Sequence, residues 1–151
     1  MSPLAVADGG EITAITAEIF AAMVDGEEGL LVPCPGARAQ VVDPLHAWVD
    51  MHADGGSRVQ LTTDAGTADD LARALLGMSA DEMVPLGDLV DAFGEVANII
   101  GGNLKALLPV QGRLTMPEVS RQSPSTAGAV QIDEVPLAWR GRPLIITVWT
   151  I

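Results

Sequence analysis

The 151-residue sequence predicts an α+β domain in which a mixed, largely antiparallel sheet packs against helices. Three observations carry that expectation. Residues Leu45 to Ala53 alternate apolar and polar side chains with a period of two. Asp88 to Leu108 repeats its apolar residues at helical spacing, and the last quarter of the chain returns to strand-forming residues around a turn.

Taken in order, Glu11 to Asp25 places Ile12, Ile15, Ile19, Phe20 and Met23 at helical intervals, with Glu11 near the start where the helix dipole favours an anion. Gly26 to Pro35 breaks the pattern with Gly29, Pro33 and Pro35. In the following strand Leu45, Ala47, Val49, Met51 and Ala53 alternate with His46, Trp48, Asp50 and His52. Asp54-Gly55-Gly56-Ser57 supplies a turn, and Arg58 to Thr63 resumes the alternation as the second arm of a β-hairpin. Thr67-Ala68-Asp69-Asp70 reads as a capping box with Asp for Glu, opening a short helix that Gly77 ends. Ser79-Ala80-Asp81-Glu82 is a second start signal ahead of the long helix, which stops at Pro109. Arg113 to Val119, Val130 to Trp139 and Leu144 to Ile151 read as strands, the last two joined by a turn at Arg140-Gly141-Arg142-Pro143. Gln122 to Gly128 reads as a mobile loop.

Composition narrows the partners. With 48% hydrophobic and 19% charged residues the chain has the makeup of one globular domain, residues 1–151, that needs no disulfide or structural metal. Its lone Cys34, between two prolines, reads as a structural thiol in a reducing compartment. Twenty Asp and Glu against eight Lys and Arg give a net charge of −12, which argues against nucleic acid and anionic membrane surfaces. The first 37 residues carry no Lys or Arg, so Met1-Ser2-Pro3-Leu4 is not expected to open a signal peptide. The aliphatic run Leu144 to Ile151 is far shorter than the roughly 20 residues of a membrane span. A soluble, cytoplasmic protein is expected.

The long helix holds the chemistry. At about 100° per residue, Leu89, Phe93, Val96, Ala97, Ile100, Leu104 and Leu107 share one side, while Asp91, Glu95, Asn98, Gly102 and Lys105 form a polar stripe on the other. Gly94, Gly101 and Gly102 lie in or beside that stripe, although each costs about 1 kcal/mol relative to Ala within a helix. Glycine there suits a helix that another backbone must approach closely.

The run from Asp91 to Lys105 resembles the D/S-x3-E-x2-N helix of the CheX/CheC/FliY phosphatases, which hydrolyse the phospho-aspartate of the response regulator CheY. The hairpin and the Gly77-ended helix are similar to that family's layout, so the resemblance implies a CheX-like fold. It also implies that Glu95 anchors the regulator through its active-site lysine and that Asn98 holds the attacking water at the phosphoryl group. Asp91 would be a supporting residue that caps or orients the stripe, with Gly102 and Lys105 as further partner contacts. No cofactor of its own is expected, since the bound regulator would supply Mg²⁺. CheC-type members carry the motif on two helices. Here Glu18 is followed three residues later by Ala21, so the single site is most like CheX, and a homodimer formed through the sheet is the expected assembly.

Other readings stand beside this one. Polar residues on a surface helix ordinarily do no more than face water, and an exposed lysine such as Lys105 ordinarily has no special role. His46 and His52 invite a metal, but six residues of strand separate them by roughly 20 Å, leaving only a site built from His52 and Asp50 with other partners. Trp48 is expected under a helix or at an interface. The alternative function is a non-catalytic adaptor that binds a receiver or a flagellar-switch component through the same stripe, and a third is a structural or ligand-binding domain unrelated to phosphotransfer.

Overall fold

The computed structural model describes residues 9–53, 55–106 and 112–151. In chain order the elements are helix α1 (Gly9–Phe20), strands β1 (Leu31–Pro33), β2 (Pro44–Ala53) and β3 (Gly55–Asp64), helices α2 (Ala65–Leu76) and α3 (Leu86–Ala106), and strands β4 (Arg113–Leu114), β5 (Glu118–Ser120), β6 (Val130–Trp139) and β7 (Arg142–Thr150). The strands form one sheet in the order β1-β6-β7-β3-β2-β4, with β5 also on β2, and every described pairing is antiparallel. No described helix is long and apolar enough to cross a membrane.

Period-two alternation puts one set of side chains against the helices. Leu45, Ala47, Val49 and Met51 of β2 join Val59 and Leu61 of β3, Leu144, Ile146 and Val148 of β7, and Val135, Leu137 and Trp139 of β6. Onto this layer α3 lays Phe93, Val96, Ala97, Ile100 and Leu104, all buried, as the helical projection requires. Burying each large side chain is worth about 1.5–3 kcal/mol, so this face locks the register of helix on sheet. The expected extension through Leu107 and Leu108 to Pro109 lies outside the described residues, as do Asp54 of the hairpin turn and Met1-Ser2-Pro3-Leu4.

Several expectations need correction. Gly26 to Pro35 is more than punctuation: Leu31–Pro33 pairs with Leu137 to Trp139 as a three-residue edge strand, too short to show a period of its own. Thr67 is no cap. Helix α2 starts two residues earlier, Thr67 is buried within it, and Asp70 instead bridges Arg73 and Arg142. Asp64, at the N-cap position, turns its carboxylate to the backbone N–H groups of Val42 and Asp43. The Gln122 to Gly128 segment is stitched to the sheet, because Gln60 Nε2 donates to Ser123 Oγ at 3.2 Å and Arg58 Nη1 to the Ser125 carbonyl at 3.1 Å.

The second face of the sheet is therefore not solvated along its length. His46 and Trp48 are both buried there, on the side away from the helices. His46 Nδ1 lies 2.8 Å from Thr62 Oγ1, and Trp48 sits in register with Gln60 and Glu118. Asp50 faces Arg58 directly across the β2–β3 ladder, and the two form a two-point bridge at 2.6 and 3.0 Å. At the β6–β7 hairpin Arg140 (φ 51°) and Gly141 (φ 79°) make a two-residue turn with both φ positive, the form that matches strand twist.

Candidate functional site

The polar stripe of α3 faces out of the molecule. Asp91 and Glu95 are exposed, and Asn98 is half-buried one turn after Glu95. Helix α3 is held by its opposite face, so these positions are free of any packing duty. Among the described residues none forms a hydrogen bond or ion pair with the side chains of Asp91, Glu95 or Asn98. Asp91 lies five residues inside α3, so it caps nothing, and it orients no neighbour on the stripe by a hydrogen bond.

A wall that the sequence did not reveal completes the site. The β4–β5 connection carries Met116 and Pro117 over the helix, and with Val90, Asp91, Glu95 and Asn98 they enclose an open groove of about 340 Å³. The connection is fastened to β2 at Thr115, whose N–H donates to the Asp50 carbonyl at 2.9 Å while its hydroxyl accepts the Asp50 N–H at 3.0 Å. It packs against the helix at Gly94, where a Cβ would stand 3.4 Å from Pro117 Cβ and Cγ, at the near limit of ordinary contact. Met116 is 84% exposed at the mouth of the groove. An exposed methionine after a two-residue strand carries no periodic signal. Only the cost of Gly94 hinted that something comes close.

Of the three glycines in or beside the stripe, one is required by the chain's own packing. A Cβ on Gly101 would meet Val49 Cγ2 at 2.6 Å, a severe clash, whereas one on Gly102 would meet Leu114 Cδ1 at an ordinary 3.8 Å. Gly102 and Lys105 continue the stripe beyond the groove. Asp91 to Lys105 spans about 21 Å at 1.5 Å per residue, and the groove takes the first half. Glu95 and Lys105 are too far apart to pair, and Lys105 sits in the last turn described, where a cation suits the helix dipole.

Chemically, the groove joins a carboxylate pair, a neutral amide and an apolar wall. An amide both donates and accepts without titrating, so it can hold a water in one orientation over a wide pH range. Elsewhere, His52 is exposed and Asp50 is committed to Arg58, and among the described residues no three His, Cys, Asp or Glu side chains converge as a metal would require.

A family model described as chemotaxis phosphatase CheX matches residues 45–132, which contain the whole groove. No curated protein matches the sequence. Solved structures with the same fold include the chemotaxis protein CheX of Vibrio vulnificus, at 18% identity and a TM-score of 0.70 over 94% of this chain and 95% of that one. A CheX–CheY–BeF3–Mg²⁺ complex from Borrelia burgdorferi matches at 17% identity and 0.69 over 95% and 97%. The FliY protein of Thermotoga maritima matches at 11% and 0.57 over 92% and 83%.

Proposed function

This chain belongs to the chemotaxis phosphatase CheX family, and from that premise we propose that it removes the phosphoryl group from the phospho-aspartate of a CheY-like receiver. The observation that carries the proposal is the pairing of Glu95 and Asn98 on one outward turn of α3, unpartnered within the described residues and inside a groove. The partner class is supported by the existence of the CheX–CheY complex among structures of this fold.

The chemistry asks little of the protein beyond placement. Water attacks phosphorus, the bond from phosphorus to the aspartyl oxygen breaks, and the electron pair leaves on a carboxylate. A carboxylate with an ordinary pKa near 3.9 needs no proton to depart, so no general acid is required. The water's protons end on the phosphate product and in solvent. Asn98 accepts a hydrogen bond from that water through its amide oxygen and donates through its N–H groups, converting a diffusing nucleophile into a positioned one. Glu95 docks the receiver by pairing with its active-site lysine, and Asp91, Gly102 and Lys105 extend the contact along the helix. Mg²⁺ would belong to the receiver, with no ligand drawn from this chain.

The test is the lifetime of a phosphorylated receiver with Mg²⁺ present. Addition of this protein should shorten it, and Asn98→Ala should remove at least 100-fold of the acceleration, the scale expected when a positioned nucleophile is released, while the complex still forms. Binding with unchanged decay would give the adaptor role instead. Neither effect with any cognate receiver would overturn both.

A further inference from the structure

Away from the α3 groove, the cations of this acidic chain gather at one place. Arg73 of α2 and Arg140 and Arg142 of the β6–β7 hairpin line a cavity of about 230 Å³, with Met78 and Trp139 among its walls. They are three of only eight basic residues in a chain of net charge −12. Two carboxylates hold them. Asp70 bridges Arg73 at 2.8 Å and Arg142 at 2.5 Å. Asp25, its side chain 1% exposed, takes Arg140 Nη2 at 2.7 Å and the Trp139 indole N–H at 3.2 Å. Arg140 also lies over the Trp139 ring, 4.6 Å from its centroid.

Three guanidiniums against two carboxylates leave one positive charge facing the cavity, and the forks are not used up. Arg73 bonds through Nε and Nη1, Arg140 through Nε and Nη2, and Arg142 through Nη1. Nη2 of Arg73, Nη1 of Arg140, and Nε and Nη2 of Arg142 have no acceptor among the described residues. Two ion pairs would need two arginines, and the third makes this a locally cationic spot on an otherwise acidic molecule.

We propose that this cavity binds a compact oxyanion of the phosphate type, at a site that shares no lining residue with the α3 groove. A planar carboxylate is satisfied by one guanidinium fork, whereas a tetrahedral oxyanion accepts from several directions, as donors on a helix, in a hairpin turn and at the start of the strand after it provide. The volume is below the roughly 300–1,000 Å³ of drug-sized sites, so it suits an anionic group rather than a large ligand. Free phosphate and a phosphorylated side chain of another protein share this chemistry.

The experiment is an NMR titration of the whole protein with sodium phosphate at constant ionic strength, following the Trp139 indole N–H and the arginine Nε–H signals. Saturable shifts are expected, at least 10-fold weaker in Arg142→Gln and unaffected by Asn98→Ala. Ala80→Glu, which adds a carboxylate to the cavity wall without touching an arginine, should abolish them even if loss of Arg142 disturbs folding. A phosphoserine peptide that binds more tightly than inorganic phosphate assigns the site to a phosphorylated side chain, and equal or weaker binding assigns it to free phosphate. Absence of saturation, equal shifts with sodium chloride, or undiminished affinity in Ala80→Glu would overturn the proposal.

Discussion

Asp91 and Glu95 stand one turn apart on α3 with the same charge, and no basic side chain among the described residues answers either. Such a pair costs a helix about 0.2–0.5 kcal/mol. Asp91→Ala should therefore raise thermal stability by roughly a degree, on the scale of about 2–4 °C per kcal/mol for a domain this size, while weakening receiver binding; a lower melting temperature would show that Asp91 supports the fold. Glu95→Ala should lose complex formation, read as a Kd raised at least 10-fold, and wild-type affinity would remove its anchoring role. His46 makes a different prediction. Burial first, and the Arg38 cation second, hold its pKa below the usual 6.5, and Arg38 is itself paired with Glu134 at 2.5 Å. The unfolded chain takes up a proton near pH 6.5 while the folded chain resists it, so stability is complete above that pH and falls as the pH drops through it. Melting temperatures at pH 7.5 and 5.5 should differ less in His46→Gln than in wild type, and an equal difference would exclude this residue as the source.

Helix α3 offers two adjacent glycines with opposite expectations. Alanine gains about 1 kcal/mol of helix propensity at either position. At Gly101 the new methyl would press on Val49 at 2.6 Å, and overpacking costs about 1–3 kcal/mol, so Gly101→Ala should destabilise in chemical denaturation. At Gly102 the nearest atom is 3.8 Å away, so Gly102→Ala should stabilise and any harm should appear in receiver affinity alone. Met116→Glu should weaken the receiver complex without lowering stability, because the side chain is exposed at the groove mouth; unchanged affinity would leave Met116 outside the interface. These contrasts mark what was legible in the sequence. The two faces of α3 could be read because 21 residues repeat one pattern over several turns, and the Glu-x2-Asn spacing fixed which polar pair to suspect. Met116 and Pro117 could not, since their place over the helix depends on the pairing of Leu114 with Met51, a partner more than sixty positions away in the chain. The edge strand Leu31–Pro33 escaped for the same reason, and so did the side on which Trp48 is buried, the face away from the helices rather than under one: each depends on segments remote in sequence.

At the scale of the whole molecule, the expected self-association has a narrowed choice of surface. The face of the sheet opposite the helices buries His46, Gln60, Thr62 and Thr147 within this chain and leaves only its His52 and Gln131 end exposed, so pairing through the sheet would use that end or an edge. One edge is the short β1, closed by Pro33, which has no N–H to offer a new strand; the other is broken into β4 and β5. A homodimer would give a light-scattering mass of twice 15.7 kDa, and a strictly monomeric mass at working concentrations would exclude it. The double hydrogen bond between Thr115 and Asp50 bears on how a partner is met. It makes the outer wall of the groove an extension of the sheet, so the gap between wall and helix is set when the chain folds rather than when a receiver arrives. Association then loses little conformational entropy on this side, and a modest contact area can still give a specific complex whose encounter is that of two rigid bodies.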